Sequence, residues 1–285
     1  MIHYLRIIRP INLLLTVLTQ WLFYLSASRI NSGISTFDLS NLRFPESITA
    51  TLACVFVAAG GYVINDIFDI ETDKINRPGK RIAVESTSVR SMRIYYASLT
   101  LSGIVLGFIT GPGMGILSSV IAILLFFYSS DFKAEFLMGN LLISLMAGMV
   151  VYIASRGVYL VNKAYFAEFS SIAFFITFAR ELIKDLEDYD GDKEQGYETF
   201  AISSGQLKTK ILSSFFIACS MGLLILIGLT GNELEYWVFT GLILGPLHLY
   251  LLWKIYMSSE KKHYSHISKW LKYAMFIGLL ASLVS

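Results

Sequence analysis

The sequence predicts an all-α integral membrane protein, a bundle of nine transmembrane helices with a polar cap facing the cytoplasm. Three observations support this prediction: the composition, the number of long apolar runs, and the uneven placement of Lys and Arg between them. Of the 285 residues, 55% are hydrophobic and only 15% are charged, and the mean hydropathy is +0.60. An ordinary soluble domain is much less apolar than this.

Nine apolar runs are long enough to cross a bilayer, which requires roughly 20 mostly apolar residues. They lie near 11–28, 48–68, 94–110, 114–130, 137–155, 167–184, 211–229, 235–253 and 267–284. We interpret the first run as a retained helix, because no small-residue cleavage site and polar segment follow it. Since the sequence contains no long linker or low-complexity tract, we expect one membrane domain, 1–285.

The distribution of Lys and Arg predicts the orientation. With the N-terminus in the cytoplasm, 18 of the 23 Lys and Arg residues fall on the cytoplasmic side, four fall on the opposite side, and Arg180 lies within a run. Cytoplasmic loops of membrane proteins carry such an excess of basic residues. We therefore expect a multi-pass protein of the cell membrane, with its N-terminus and active site in the cytoplasm. The net charge of only +2 gives no reason to expect a nucleic-acid partner.

Two acidic stretches follow apolar runs on the same predicted face. "NDIFDIETD" (65–73) ends the second run and "KDLEDYDGD" (184–192) ends the sixth. Both space three aspartates at i, i+3 and i+7, which places each trio within an arc of about 60° on a helix. The trios are Asp66, Asp69 and Asp73, and Asp185, Asp188 and Asp192, and we expect Gly191 to loosen the helix before Asp192 so that this last carboxylate comes from a loop.

Facing stripes of carboxylates repel each other unless a divalent cation lies between them. Oxygen ligands suit Mg²⁺, which proteins usually hold with few carboxylates and with substrate phosphates. We therefore predict Mg²⁺ as the cofactor and a phosphorylated substrate. A solvated charged helix end would explain one such stripe, but it explains two stripes of identical spacing poorly.

Basic residues beside the two stretches fit a phosphorylated substrate. Arg77 and Arg81 follow the first stretch, and Arg180 and Lys184 precede the second. An Arg within an apolar run needs a partner, and guanidinium and ammonium groups bind diphosphate oxygens that a metal leaves free. Because the protein is so apolar, we expect the substrate to be lipid-like: an isoprenyl diphosphate fits, with its tail between helices and a lipophilic acceptor beside it.

The two stretches resemble the two aspartate-rich motifs of the UbiA superfamily of intramembrane prenyltransferases. "RPIN" (9–12), "YSSDFK" (128–133) and "GN" (139–140) are similar to further segments of that family, so the resemblance covers essentially the whole chain. The sequence looks most like the branch that transfers a geranylgeranyl group to geranylgeranylglyceryl phosphate. It departs from many relatives after the first motif, where it reads "KRIAVESTS" (80–88), and this leaves the acceptor open between a glyceryl-phosphate ether lipid and a quinone-precursor ring.

The resemblance implies roles for individual residues of this chain. The implied metal ligands are Asn65, Asp66, Asp69, Asp73, Asp185, Asp188 and Asp192. The implied catalytic residues are Asp69, Asp188, Lys133 and Tyr128. The implied substrate-binding residues are Arg9, Asn65, Arg77, Arg81, Arg180 and Lys184.

The resemblance also implies a mechanism: the allylic C–O bond ionises, and an acceptor nucleophile attacks C1 of the prenyl chain. Aromatic faces that would steady the cation include Tyr62, Phe68, Tyr128 and Tyr152, although most of the 16 Tyr and 20 Phe are expected to serve packing. Two alternatives stay open at this point. A terpene cyclase of the same family would keep both motifs, and a transporter would place ionisable residues near the bilayer midplane.

Overall fold

The computed structural model describes residues 2–32, 39–70, 87–159, 162–231 and 233–284. Within these ranges the protein is helical, and the only β pairing is an isolated bridge between Leu42 and Val158. In chain order the helices are α1 (Ile2–Ile7), α2 (Pro10–Ser32), α3 (Phe44–Phe68), α4 (Val89–Thr110), α5 (Pro112–Ser130), α6 (Met138–Ile153), α7 (Lys163–Glu187), α8 (Tyr189–Glu194), α9 (Phe200–Ser204), α10 (Gln206–Gly231), α11 (Leu234–Phe239), α12 (Gly245–Met257) and α13 (Lys261–Ala281).

Each of the nine predicted runs is helical, and a π-helical turn, Thr240–Leu244, joins α11 to α12. Within the described ranges, seven helical segments are long and apolar enough to cross a membrane. They are Pro10–Ala27, Phe44–Phe68, Val89–Thr110, Pro112–Ser130, Met138–Gly157, Gln206–Gly231 and Leu234–Met257. The other two runs form α7 and α13, which carry more charged residues. The prediction of an all-α integral membrane protein is therefore confirmed.

Small residues allow α3 to pack closely against α4 and α5. At Gly103 on α4, an added Cβ would lie only 2.7 Å from Cγ2 of Val57 and 2.9 Å from its backbone nitrogen. Close helix contacts of this kind are common in membrane bundles, where dispersion forces rather than water exclusion hold helices together. The first acidic motif is thus attached to a tightly packed group of helices.

The second acidic motif follows α7, which packs against α6, α10 and α13. α7 is one of the most buried helices, and Phe166, Leu182 and Ile183 are fully enclosed. By contrast, the outer faces of the bundle keep large apolar side chains exposed, including Phe108 on α4 and Leu229 on α10. An apolar exterior of this extent is suited to contact with the hydrocarbon chains of membrane lipids.

Both acidic motifs begin in the last turn of a long helix and continue past its end. This corrects part of the prediction that each aspartate trio lies along one face of a helix. Asp69 is the C-cap of α3 and Asp188 is the C-cap of α7, with φ and ψ of −96° and 4°. Asp192 lies on the separate short helix α8. The chain changes direction at Asp188, so the second trio does not form one continuous helical stripe. Asp73 lies outside the described residues.

Candidate functional site

The first motif is tied to a lysine from the segment after α5. Asp66 and Asp69 are 5% and 7% exposed. Lys133 Nζ donates to both carboxylate oxygens of Asp69, at 2.7 and 2.8 Å, and Asn65 Nδ2 donates to Asp69 Oδ2 at 2.7 Å. Buried carboxylates need such partners, because desolvation of an uncompensated charge is costly.

Arg9 reaches the same motif from the junction of α1 and α2. Its Nη2 lies 2.9 Å from Asp66 Oδ1, and its guanidinium lies 4.9 Å from the centre of the Tyr62 ring. The backbone of Arg9 has φ of +53°. A non-glycine residue in this region is uncommon, and such strain concentrates at functional sites. The residue with this uncommon backbone conformation is the one that contacts Asp66 and Tyr62 of α3.

The second motif is supported by an asparagine of α6. Asn140 Nδ2 donates to Asp185 Oδ2 at 2.9 Å, and Asn140 itself is buried. Asp188 and Asp192 are half-buried, and the backbone N–H of Asp192 donates to the carbonyl of Asp188 at 2.9 Å. Burial, and then the nearby charge of Asp188, raise the pKa of Asp192 to about 6. A cation beside Asp192 would offset this repulsion and keep the carboxylate ionised.

The two motifs meet around Tyr128 at the end of α5. Tyr128 lies within electrostatic reach of Asp69 from the first motif and of Asp185 from the second. Lys133, which holds Asp69, is also close enough to influence Asp192. The structure therefore brings residues of both motifs to the same end of the bundle.

A third group of charges lies on α7, one turn before Asp185. Glu181 is 8% exposed and binds two cations: Arg180 Nη1 at 2.5 Å and Lys184 Nζ at 3.1 Å. Arg180 thus has the partner that an intramembrane arginine was predicted to need. Glu181 is not among the site residues predicted from the sequence, although its i,i+3 spacing to Lys184 is a signal for an ion pair on a helix.

A cavity of about 480 Å³ extends from these charges into the bundle. Its polar end is lined by Arg9, Asn12, Tyr62, Asn65, Tyr128, Arg180, Glu181, Lys184 and Lys272. Its remaining walls are largely apolar and include Phe23, Phe169 and Leu244. The arrangement suits an amphipathic ligand with an anionic head and a hydrocarbon tail.

The structure separates the predicted site residues into two groups. Those it brings to the charged end of the bundle are Arg9, Asn65, Asp66, Asp69, Tyr128, Lys133, Arg180, Lys184, Asp185, Asp188 and Asp192. Asp73, Arg77 and Arg81 lie outside the described residues. Of the candidate aromatics, Tyr62 and Tyr128 line the cavity, whereas Phe68 and Tyr152 are exposed and absent from its walls.

The donor set fits Mg²⁺ when substrate phosphates supply further ligands. Within the described part of the chain, no three His, Cys, Asp or Glu side chains converge on one point. Carboxylates from two helix ends are nevertheless present, and basic or amide groups now hold Asp66, Asp69 and Asp185. Mg²⁺ is typically held by one or two carboxylates together with phosphate oxygens and water, and this arrangement provides such carboxylates.

Comparison with known proteins gives a consistent result. The profile of the UbiA prenyltransferase family matches residues 34–280. A digeranylgeranylglyceryl phosphate synthase of Methanoculleus marisnigri is 32% identical over 219 residues, which is 77% of this chain and 73% of that protein.

Two solved structures share the fold. One is described as a digeranylgeranylglyceryl phosphate synthase in membranes. It has a TM-score of 0.78 at 25% identity, and the match covers 99% of this chain and 96% of that chain. The other is a UbiA homolog from Archaeoglobus fulgidus bound to GPP and Mg²⁺. It has a TM-score of 0.69 at 19% identity, and the match covers 99% of this chain and 100% of that chain.

Proposed function

The chain belongs to the UbiA prenyltransferase family, and from this membership we propose that it transfers a prenyl group from an isoprenyl diphosphate to a glyceryl-phosphate ether lipid. One observation carries the proposal: a largely apolar cavity ends at basic groups beside two acidic motifs. In the proposed reaction, C1 of the prenyl chain leaves a diphosphate oxygen and bonds to an acceptor hydroxyl oxygen, releasing diphosphate and a proton.

We propose that Asp66, Asp69, Asp185, Asp188 and Asp192 hold Mg²⁺ with the diphosphate, with Asn65 as a further oxygen donor. Mg²⁺ bound there would neutralise charge that develops on the departing diphosphate. Asp73, Arg77 and Arg81 remain predicted participants of the same site.

The chain's own cations would act on the diphosphate oxygens that the metal leaves free. Lys133 is held at Asp69, so it is preorganised near a bound diphosphate and needs little reorientation to stabilise the leaving group. Arg9 is fixed in the same way by Asp66 and by the Tyr62 ring. The hydroxyl and ring of Tyr128 lie between the two motifs, close to where the C–O bond would break.

The apolar cavity has two roles in this proposal. It binds the prenyl chain by removing hydrocarbon from water, and it keeps water from the reactive C1, where water would yield the free alcohol. Tyr62 and Tyr128 line its polar end, where an aromatic ring would stabilise a developing positive charge.

The acceptor is inferred from the relatives and from the charges in the cavity. The curated relative described above is a digeranylgeranylglyceryl phosphate synthase, and a glyceryl-phosphate ether lipid is itself an amphipathic anion. An aromatic quinone precursor would leave more of the cavity's cations unused, so we favour the glyceryl-phosphate acceptor.

We propose that this reaction takes place at the cytoplasmic face of the cell membrane. The proposal includes one domain, 1–285, with nine crossings, in which α7 and α13 accompany the seven apolar segments. The excess of Lys and Arg in the segments predicted to lie on one side of the membrane supports this orientation.

Metal removal and product analysis test the proposed function. Purified protein is incubated with geranylgeranyl diphosphate and geranylgeranylglyceryl phosphate, and the lipids are analysed by mass spectrometry. We expect the digeranylgeranyl ether to form with Mg²⁺, to disappear with EDTA and to return when Mg²⁺ is added in excess. Full turnover in metal-free buffer would contradict the metal site, and a cyclised hydrocarbon in place of the ether would contradict transfer.

A further inference from the structure

Basic groups outnumber carboxylates on the cavity wall that α7 and α13 form. Arg180 and Lys184 lie one turn apart on α7, and Lys272 lies on α13. Glu181 is the only carboxylate among the described residues of the cavity lining. When ionised, these four side chains leave a net charge of +2 beside an apolar cavity, so this wall is suited to an anion.

Lys272 has no carboxylate partner within the described ranges. Its Nζ donates to Oδ1 of Asn12 at 3.3 Å, and this amide carries no charge. Lys272 also lies within electrostatic reach of Arg180, which has the same sign. Two cations at the edge of a low-dielectric bundle repel each other. A bound anion between them would convert this repulsion into attraction.

Arg180 provides a second, independent sign of a missing ligand. One guanidinium nitrogen, Nη1, binds Glu181, but its Nε is buried and has no hydrogen-bond partner in the described structure. A buried donor without an acceptor carries a desolvation cost, and native proteins rarely leave one unmatched. A phosphate oxygen in the cavity is an acceptor of suitable charge.

Lys272 and Arg180 are separate from the cations at the first acidic motif, whereas Lys184 also lies within electrostatic reach of Asp185 and Asp192 in the second motif. Lys133 and Arg9 are held by Asp69 and Asp66, on the side where the diphosphate is proposed to bind. Asn12 connects the two sides, because its Oδ1 accepts from Lys272 and it lies beside Tyr62 in the cavity lining. The cavity therefore has basic groups on two sides, and a reaction between two phosphorylated lipids would place two anions in it.

We propose that Lys272, together with Arg180 and Lys184, binds the phosphate of the glyceryl-phosphate acceptor. This inference rests on the proposed function, and it assigns the second wall to the second substrate. A phosphate monoester carries close to two negative charges at neutral pH, which matches the +2 of the wall. Lys272 is then a specificity residue that favours phosphorylated acceptors over neutral ones.

The test uses two acceptors that differ only in the phosphate: geranylgeranylglyceryl phosphate and the corresponding dephosphorylated ether. In Lys272→Met we expect the KM for the phosphorylated acceptor to rise about ten- to hundredfold, the usual effect of losing a charged hydrogen bond. The KM for geranylgeranyl diphosphate should change less than about twofold on the same reasoning. With the dephosphorylated acceptor, the variant and the unchanged protein should react equally.

Lys269→Met is the matched control, because Lys269 is an exposed lysine three residues earlier on α13 and outside the cavity lining. Lys269→Met should leave unchanged the KM for the phosphorylated acceptor, the KM for geranylgeranyl diphosphate and the rate with the dephosphorylated acceptor. Lys272→Arg should restore most of the affinity for the phosphorylated acceptor. Calorimetric binding of the phosphorylated acceptor, without any diphosphate present, should weaken in Lys272→Met alone. If Lys272→Met does not fold, Lys272→Gln takes its place in every comparison.

The outcomes separate this inference from the proposed function. If the unchanged protein transfers no prenyl group to either acceptor, the proposed function fails. If transfer occurs but Lys272→Met keeps its acceptor KM, or instead raises the KM for the diphosphate, the assignment of this wall to the acceptor phosphate is overturned. An equal loss in Lys269→Met would also overturn it, because the effect would then come from surface charge.

Discussion

The ammonium group of Lys133 lies 2.7 and 2.8 Å from the two carboxylate oxygens of Asp69, a residue 64 positions earlier in the chain. The contact joins the segment after α5 to the C-terminal end of α3. The side chain of Asp69 is only 9% exposed, whereas that of Lys133 is 33% exposed and so remains partly in contact with solvent. A cation held this firmly beside a proposed metal site is already in position before the substrate arrives, and the first prediction follows from it.

Replacing Lys133 should impair catalysis more than substrate capture. In Lys133→Met we expect kcat to fall about 10²- to 10³-fold, the usual cost of removing one preorganised donor from a developing anion. Lys133→Arg should recover part of the rate. Steady-state kinetics with excess Mg²⁺ measure the kcat of both variants. Lys193→Met is the control, because Lys193 is an exposed lysine. A Lys133→Met enzyme of normal kcat would remove this residue from the mechanism.

The central aspartates of the two motifs should be needed for turnover and not for folding. Asp69→Asn and Asp188→Asn remove a metal ligand while keeping the side-chain shape, so we expect turnover to fall at least about a hundredfold, as when second-shell or ligand groups are lost. Asp190→Asn is the matched control, because Asp190 lies two residues after Asp188 and is exposed. Thermal unfolding in detergent should be similar for all three variants. A normal rate in either motif variant would refute the site assignment.

Narrowing the apolar part of the cavity should shorten the prenyl chain that is accepted. Ala173 lines the cavity from α7, whereas Ala167 lies on the same helix with its side chain exposed outside the cavity lining. In Ala173→Phe the added ring would occupy the space of the tail. We expect the ratio of geranylgeranyl to geranyl transfer to fall about tenfold or more, since a few methylenes can change specificity by this factor. Ala167→Phe should leave the ratio unchanged, and an equal ratio in both variants would contradict this use of the cavity.

The two ends of α7 should be accessible from opposite sides of the membrane. Asn162 precedes the helix and Lys193 follows it on α8, and both are exposed. With Cys54 and Cys219 changed to Ser, Asn162→Cys should react with an impermeant thiol reagent in intact cells. Lys193→Cys should react only after the membrane is opened. Labelling of both from one side would show that α7 does not cross, and the proposed orientation would be wrong.

The sequence was sufficient for the helical architecture because apolar runs of bilayer length have few alternative structures. Repeated spacing is a local pattern, so the sequence alone could select Asp66, Asp69, Asp185 and Asp188 as predicted ligands, and the structure brings them to one end of the bundle. The break at Asp188 lies three residues before the loosening predicted at Gly191, and Asp192 lies on a short helix and not in a loop, since helix ends depend on which backbone groups find partners.

Contacts across the bundle were beyond the reach of sequence patterns. Lys272 looked like one of many cytoplasmic lysines, since charge alone does not reveal which face of a helix borders a cavity. Asn12 and Asn140 belong to segments that resembled the family, but their partners, Lys272 and Asp185, lie on distant helices. Such pairings follow from packing, and packing is decided by the whole chain.

The charges of α7 and α13 also affect how the protein is made. These two helices are absent from the seven segments that could enter a bilayer on hydropathy alone, yet they pack against each other and hold the proposed acceptor wall. During synthesis α7 emerges before α13. Until α13 is made, the charges of Arg180 and Glu181 must either neutralise each other as an ion pair or stay outside the hydrocarbon core of the membrane. We expect membrane integration of α7 to depend on neighbouring helices, and variants that unbalance its ion pair to be degraded as misinserted chains before any defect in catalysis appears.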